Sequence, residues 1–417
     1  MSGVTSRTFA ALVELPALRW YFASMVGNWS ALQMQQVVRG YLAFHLTGSY
    51  AALGGVALAN SLPRLALSLF AGVVADRSSR RHVMQLAQGV NLALTGVITA
   101  LLFMDRLRLE HLLITAALHG VANVFNQPAR LSLLPDLVGP ARLTNAIGLN
   151  VSVMNVVRLT APAIAGFLLA WFGGGWVYAL MTVLYGLSIL AMFPIPSRRR
   201  VEPTPSPAGQ LDSGKVRAGG VVEALRYLRG QPTLIMLLAV HLGVGLLTHP
   251  FQRLLPGFVS EFLAADEREA AWRLGVLLWF MGAGALVGSL RVASLANRNR
   301  GALLLGSLTL FGAALIAFSA SSHFAASALV VVLLGLGMAG RQSLSHILIQ
   351  THVDDAFRGR ISSIMMLELA FDGVGVFAIS LIAGEVGIRP TLAALGVALV
   401  LLTGALALFV PAYRRLH

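Results

Sequence analysis

The stretch GVVADRSSRR, Gly72 to Arg81, is a short charged turn between two long apolar runs. The run before it begins near Ala51 and the run after it ends near Met104, so each can form a membrane-spanning helix of roughly 20 residues. A connection this short predicts two antiparallel helices that lie side by side. Because positively charged loops are retained in the cytoplasm, the arginines of this turn predict that it faces the cytoplasm.

Asp76 stands at the predicted junction of these two helices. A carboxylate there can accept hydrogen bonds from free backbone N–H groups and complement the positive end of a helix. Two interpretations stay open, a plain topology signal and a latch that closes the cytoplasmic side. The latch hypothesis assigns gating roles to Asp76, Arg77 and Arg81, with Arg130 and Arg360 as candidate partners.

The composition excludes a soluble globular protein. Of the 417 residues, 57% are hydrophobic and 12% are charged, whereas soluble chains usually carry about twice that charged fraction. The formal charge of +14 would suggest a nucleic-acid partner in a soluble protein. Arginines at the cytoplasmic ends of membrane helices explain it here, so we expect no nucleic-acid partner.

The sequence carries no motif for catalysis or for direct use of ATP. It has no cysteine, which excludes disulfides and cysteine-ligated metals, and it has no Walker loop, metal-spacing histidine cluster or hydrolase elbow. Gly335 to Gly340 matches the dinucleotide fingerprint by letter, but inside a predicted span instead of a strand–turn–helix unit. Gly284 and Gly288 predict close helix packing. We therefore expect no enzyme and no cofactor.

Twelve segments are long and apolar enough to span a membrane. A polar break at 196–230, rich in Pro, Gly, Ser and charge, divides them six and six and predicts a flexible cytoplasmic linker. The predicted fold is all-α and integral to the membrane, with two pseudo-symmetric six-helix bundles at 1–195 and 231–417. The predicted spans lie near 17–46, 50–76, 82–104, 109–130, 143–171, 174–195, 231–261, 272–297, 301–320, 324–349, 359–385 and 389–411.

Most arginines fall on one side of these spans, which predicts that both termini and the linker are cytoplasmic. The two halves also repeat, because Ala75-Asp76-Arg77 recurs as Ala296-Asn297-Arg298 after a second glycine-rich span. Two related halves are typical of secondary transporters, whose substrate site lies near the midplane between them.

The pattern Gly72-x-x-x-Asp76-Arg77-x-x-x-Arg81 resembles the signature of the major facilitator superfamily between its second and third helices. More narrowly, the chain resembles the enterobactin-exporter-like and macrolide-efflux-like permeases of bacteria over nearly its whole length. This resemblance implies secondary transport, usually outward and usually driven by protons, in the bacterial cytoplasmic (inner) membrane. It does not identify the cargo. The matching segments are Met34–Ser49, Leu62–Arg77, Asn126–Val138, Asn145–Asn150, Glu223–Pro232 and Arg358–Ser363.

Two carboxylates, Glu368 and Asp372, are predicted to lie well inside the eleventh span, four residues apart on one face. Ionisable groups inside a membrane are costly and are functional hypotheses by default. A carboxylate that is removed from water binds its proton more tightly, so we predict proton coupling at both residues and favour Glu368. The alternative is that they pair permanently with Arg39 or Arg158 as structural struts.

Polar residues of the first span, from Asn28 to Arg39, share one helix face that is predicted to point into the bundle. For Arg39, two alternatives stay open: the side chain snorkels outward, or it packs polar groups between helices. For a histidine inside the membrane, such as His346, the alternative is a hydrogen-bonded packing residue. The predicted substrate cavity consists of Gln36, Arg39, Arg158 and His346.

These observations predict a secondary transporter that exports a small amphipathic molecule, such as a drug, siderophore or metabolite, in exchange for protons by alternating access. Uptake or lipid transport by the same fold stays open, as does a non-transporting membrane sensor or partner. The expected partners are a small-molecule substrate, protons and the lipid bilayer, and we expect a monomer.

Overall fold

The computed structural model describes residues 15–139, 142–196, 223, 226–294, 299–354, 357–365, 367–414 and 416. Within the helices, the side chains at 69–77, 131, 144, 359, 363, 367, 369, 370, 411 and 412 lie outside this description. Secondary structure in the described part is helical without strands, as the composition predicted.

The first half contains one helix for each of its six predicted spans. The turn that opened the sequence analysis lies between α2 and α3, with Ser78 and Ser79 as the two residues between the helices. The six helices are α1 Pro16–Thr47, α2 Tyr50–Arg77, α3 Arg80–Phe103, α4 Leu109–Val138, α5 Leu143–Phe172 and α6 Gly174–Met192.

The second half begins with α7, Pro232–Phe258, which continues into a π-helical turn, Val259–Leu263. Two short helices, α11 and α14, accompany the long ones. The helices after the π turn are α8 Glu267–Ser294, α9 Arg300–Ala320, α10 Phe324–His352, α11 Arg358–Met365, α12 Leu367–Val386, α13 Ile388–Phe409 and α14 Pro411–Arg414.

Eight helical segments within the described residues are long and apolar enough to cross a membrane. α1 is not among them, since Asn28, Gln33, Gln35 and Gln36 make it more polar. The count of twelve spans therefore stays a prediction. The eight segments are Arg80–Phe103, Asn145–Phe172, Gly174–Met192, Pro232–Leu263, Glu267–Ser294, Arg300–Ala320, Phe324–His352 and Ile388–Phe409.

The described residues group into two compact units, one within Met1–Arg39 and Leu62–Gln210 and the other within Gly40–Ser61 and Leu211–His417. The end of α1 and the start of α2, which the sequence analysis assigned to the first bundle, thus group with the second unit. Two tyrosine hydrogen bonds lie within this second unit: Tyr41 Oη donates to the Glu267 carbonyl at 2.9 Å, and Tyr50 Oη donates to Glu261 Oε2 at 2.6 Å.

The end of the predicted linker is structured in the second unit. Residues 226–229 are helical, and the Tyr227 ring stacks on Phe357 with centroids 4.1 Å apart. Tyr227 Oη also accepts a hydrogen bond from the Asp354 N–H at 3.2 Å. The last turn of the predicted linker therefore packs, through its aromatic ring, on the segment between α10 and α11, and the flexibility of the linker stays a prediction.

Glycines allow α8 and α10 to pack backbone against backbone. A Cβ on Gly284 would overlap the Val332 carbonyl oxygen, and a Cβ on Gly335 would overlap the Met281 carbonyl oxygen. The predicted packing role of Gly284 is confirmed. Gly335, from the apparent dinucleotide fingerprint, has the same role, because small residues let membrane helices approach closely.

We expect Gly335→Ala to lower the melting temperature of the detergent-solubilised protein. The methyl group has no space beside the Met281 carbonyl, and overpacking of this kind typically costs about 1–3 kcal/mol. The matched control is Gly306→Ala in α9, where nothing lies within 4 Å of the added carbon. Equal melting temperatures for the two variants would contradict the packing interpretation.

Candidate functional site

Three helices of the second unit bring their ionisable side chains together. α7 contributes His241, His249 and Arg253, whose spacings of eight and four residues place them on one helix face. α10 contributes Arg341, and α12 contributes Glu368 and Asp372. We call these six residues the ionic cluster.

Glu368 has cationic or titratable neighbours from two helices. Arg341 Nη1 donates to Glu368 Oε1 at 2.8 Å. His241 Nε2 lies 2.9 Å from Glu368 Oε2, and His249 Nε2 lies 3.4 Å from Glu368 Oε1. Gly245 makes room for this carboxylate on α7, since a Cβ there would lie 2.5 Å from Glu368 Oε1.

Asp372 is held one helical turn away from Glu368. Its Oδ2 accepts from Arg253 Nη2 at 3.2 Å, and its Oδ1 lies 3.0 Å from His249 Nδ1. His249 therefore stands between the two carboxylates, with one ring nitrogen towards each.

While its histidines are neutral, the ionic cluster has no net formal charge, because its two guanidinium groups balance its two carboxylates. The cluster is largely enclosed: Arg341 has 2% of its side chain exposed and His241 has 1%. Buried charges are tolerated when they are paired and hydrogen-bonded. A proton added here changes the net charge of a largely enclosed site, which favours a rearrangement of the pairs.

A cavity of about 210 Å³ reaches the two carboxylates. Its walls are mainly apolar, formed by Leu242, Leu246 and Phe371 together with the backbone at Gly243 and Gly245. Since a water molecule takes up about 30 Å³ of liquid volume, the cavity has room for several waters or for part of a small molecule.

The partners of the carboxylates differ from those that the sequence analysis suggested. It considered Arg39 and Arg158 as partners, whereas the arginines that contact the carboxylates are Arg341 and Arg253. The regular spacing of His241, His249 and Arg253 was the available signal for this face of α7. It could not indicate which neighbouring helix the face would meet.

The four residues predicted to line a substrate cavity differ from one another in solvent exposure. His346 has an exposed side chain, and its ring packs edge-on against the ring of His241 with centroids 5.6 Å apart. In the first unit, Gln36 and Arg158 are exposed, whereas Arg39 is buried with 6% of its surface exposed.

Arg39 belongs to a buried polar group in the first unit. It lies within electrostatic range of His119, Tyr178 and Tyr185, and His119 also contacts the Gln35 amide. Within the part of the chain that the structure describes, Arg39 Nε and Nη2 and the Tyr185 hydroxyl have no hydrogen-bond partner, while the Tyr178 hydroxyl interacts with Arg39. This group therefore has several spare hydrogen-bond donors.

Two predicted gating residues hold the first unit together. Arg81 Nη1 donates to the Ile195 carbonyl at 2.6 Å, which joins the start of α3 to the segment just after α6. The Arg130 guanidinium lies over the Trp29 ring, 4.6 Å from its centroid. The predicted latch side chains of Asp76 and Arg77 lie outside the described residues.

Arg360, the predicted gating residue of the second half, lies at the segment that packs on the linker end. Its Nη2 is 3.0 Å from Glu223 Oε2, and its guanidinium lies 5.1 Å from the Phe357 ring centroid. Arg360 therefore stabilises the same packed turn as Tyr227, and its role as a partner of Asp76 stays a prediction.

Several known transporters are similar to this chain over nearly its whole length. The Staphyloferrin A transporter of Staphylococcus aureus is 22% identical over 393 residues, which cover 92% of this chain and 94% of that protein. The Multidrug efflux pump Tap of Mycolicibacterium fortuitum is 26% identical, covering 90% and 91%. The Macrolide efflux protein A of Streptococcus pyogenes is 22% identical, covering 88% and 90%.

Solved structures support the same fold. A peptide transporter POT in complex with sulfate superposes with a TM-score of 0.73 at 13% identity, covering 97% of this chain and 96% of that one. The nucleoside transporter NupG superposes with a TM-score of 0.67 at 12% identity, covering 94% and 99%.

The resemblance that began with the Gly72–Arg81 turn is confirmed by the sequence pattern of the Major Facilitator Superfamily, which matches residues 21–371. The chain therefore belongs to the major facilitator superfamily, and it is a multi-pass membrane transporter, not an enzyme.

Proposed function

We propose that this transporter exports a small amphipathic molecule in exchange for protons, by alternating access. The ionic cluster on α7, α10 and α12 is the observation that carries the proposal. Its carboxylates, Glu368 and Asp372, are paired and largely enclosed beside a cavity. Two efflux proteins among the relatives support the outward direction.

Proton coupling follows from the charge balance of the ionic cluster. A proton that binds there leaves an excess positive charge, which is costly in a largely enclosed site. The protein lowers that cost by rearranging the pairs around Glu368 and Asp372. A group that binds protons differently in two conformations biases the equilibrium between them, so proton uptake drives the conformational change.

For the cargo, we propose contacts in both units. The cavity beside Glu368 has apolar walls, which suit the apolar part of an amphipathic molecule. In the first unit, Arg39 has unpaired nitrogens and can bind a hydrogen-bond acceptor or an acidic group. The proposed substrate residues are Gln36, Arg39, Arg158 and His346.

A second candidate cargo is a molecule of the staphyloferrin type. The Staphylococcus aureus relative is named for staphyloferrin A, at an identity similar to those of the efflux relatives. Such a cargo also fits the cationic, donor-rich surroundings of Arg39. Dye, antibiotic and siderophore substrates therefore belong in one assay.

Purified protein in liposomes is expected to accumulate a permanently charged cationic dye inside an acidic lumen. Protons leave the acidic compartment, and exchange carries the dye in the opposite direction. A permanently charged dye does not redistribute with pH by itself, and empty liposomes and a protonophore provide the controls. Antibiotics and siderophores are tested as competitors. Transport that ignores the pH gradient, or no transport of any compound, would contradict proton-coupled export.

Glu368→Gln is expected to abolish accumulation against a gradient while substrate binding and downhill exchange persist. The amide fills similar space but lacks the negative charge that balances the coupled proton in the ionic cluster. Glu385→Gln is the matched control, since Glu385 is an exposed carboxylate on the same helix. If Glu368→Gln still concentrates substrate, the coupling carboxylate lies elsewhere and Asp372 is the next to test.

Asp76→Asn is expected to lower the transport rate several-fold and leave the protein folded, because we propose that Asp76 helps close the cytoplasmic side with the arginines near it. Asp105→Asn in the loop between α3 and α4 is the control. Asp105 has a positive φ of 52°, which asparagine also tolerates. A native transport rate for Asp76→Asn would refute the latch hypothesis.

Both termini and the linker are proposed to be cytoplasmic, in the bacterial inner membrane. A protease site inserted at 201–222 should then be cleaved in inside-out vesicles and protected in right-side-out vesicles. A second site inserted at 105–108 should show the reverse pattern. Cleavage of the linker site from the outside alone would overturn the proposed orientation.

A further inference from the structure

His249 faces both a guanidinium and a carboxylate through the same ring nitrogen. Its Nε2 lies 3.3 Å from Arg341 Nη2 and 3.4 Å from Glu368 Oε1. Its other nitrogen, Nδ1, lies 3.0 Å from Asp372 Oδ1. The ring therefore contacts both α10 and α12 from its position on α7.

The protonation state of the ring decides which of these contacts is a hydrogen bond. A neutral imidazole has one N–H and one lone pair, whereas an imidazolium has two N–H groups. An ionised Asp372 accepts only, so it keeps the proton on Nδ1. In the neutral ring, Nε2 then accepts from Arg341 Nη2. In the charged ring, Nε2 can no longer accept and instead donates to Glu368 Oε1.

We propose that His249 carries the coupled proton and that protonation switches its Nε2 from Arg341 to Glu368. This inference rests on the proposed proton coupling, and it assigns the titrating role to the histidine between the carboxylates. Both partners are already within reach, so the switch needs only small movements of side chains.

The switch has a mechanical consequence for helix packing. Arg341 Nη1 donates to Glu368 Oε1, the oxygen that the charged His249 would bind. A protonated His249 competes for that oxygen and repels the nearby guanidinium. It thereby weakens the contact between α10 and α12 and strengthens the contact between α7 and α12.

The other titratable groups of the site are less suited to this role. His241 is more deeply buried, with 1% of its side chain exposed against 17% for His249, and its contact is with Glu368. His346 packs against the His241 ring. Arg253 pairs with Asp372, the same carboxylate that His249 Nδ1 contacts. His249 is the histidine that contacts both carboxylates, and both carboxylates line the cavity.

The test compares the wild-type protein with His249→Gln in proteoliposomes. Glutamine keeps hydrogen-bonding capacity but cannot become cationic. We expect His249→Gln to lose accumulation against a gradient, to retain downhill exchange, and to show an exchange rate that is flat over roughly pH 5.5 to 8, the range in which histidine titrates. His323→Gln, at an exposed histidine before α10, is the matched control and should behave as wild type.

The outcomes separate this inference from the proposed function. If wild type and His249→Gln both concentrate substrate with the same proton dependence, His249 is not the carrier, although proton coupling stands. If wild type itself ignores the pH gradient, the proposed function fails and this inference with it. Loss of uphill transport with downhill exchange intact supports both.

A second measurement does not depend on the folding of His249→Gln. In ¹⁵N-histidine-labelled protein, the resonance of His249 is the one that shifts in both Glu368→Gln and Asp372→Asn, because its ring faces both carboxylates. We expect this ring to change from one to two N–H protons as the pH falls through the transport range. A ring that keeps a single protonation state throughout would overturn the proposal.

Discussion

The structure of the second unit depends on how two largely enclosed carboxylates are neutralised. Ionised groups are expensive away from water unless each has a partner at hydrogen-bond distance. Arg341 and Arg253 supply the charge, and glycine at position 245 supplies the space for Glu368 against α7. The register of α7, α10 and α12 is thus tied to a few short contacts. A change in any of these charges changes how the three helices pack.

The two units differ in the polar side chains that they bury. The first unit buries many neutral polar groups; Ser24 and Ser188 bond across α1 and α6 at 2.9 Å, and Asn126 donates to Asn28 at 3.4 Å. Its described buried cations include Arg39 and Arg130, and Arg39 has spare donors. The second unit buries a balanced set of charges. This difference is consistent with our proposal that the second unit binds the coupled protons and that the first unit binds polar groups of the cargo.

Helix packing around these groups follows membrane rules. The interiors of the units contain small residues at close helix contacts, as at Gly284 and Gly335. Large apolar side chains such as Trp171, Leu290 and Leu408 remain exposed, as expected for surfaces that face lipid. Since lipid provides no hydrophobic force between helices, close packing and polar contacts must hold the bundles together. The ionic cluster therefore contributes to cohesion as well as to coupling.

The sequence alone determined the membrane class, the family and the helical character of this protein, because hydropathy, span length and the Gly72–Arg81 signature are local properties of the chain. It also singled out Glu368 and Asp372, since two carboxylates in an apolar segment stand out without any structure. Tertiary structure decided their partners: Arg341 is 27 residues from Glu368 in sequence, and His249 is 123 residues from Asp372. Helical spacing shows which side chains share a face, but only the rotation and packing of neighbouring helices decide what that face meets.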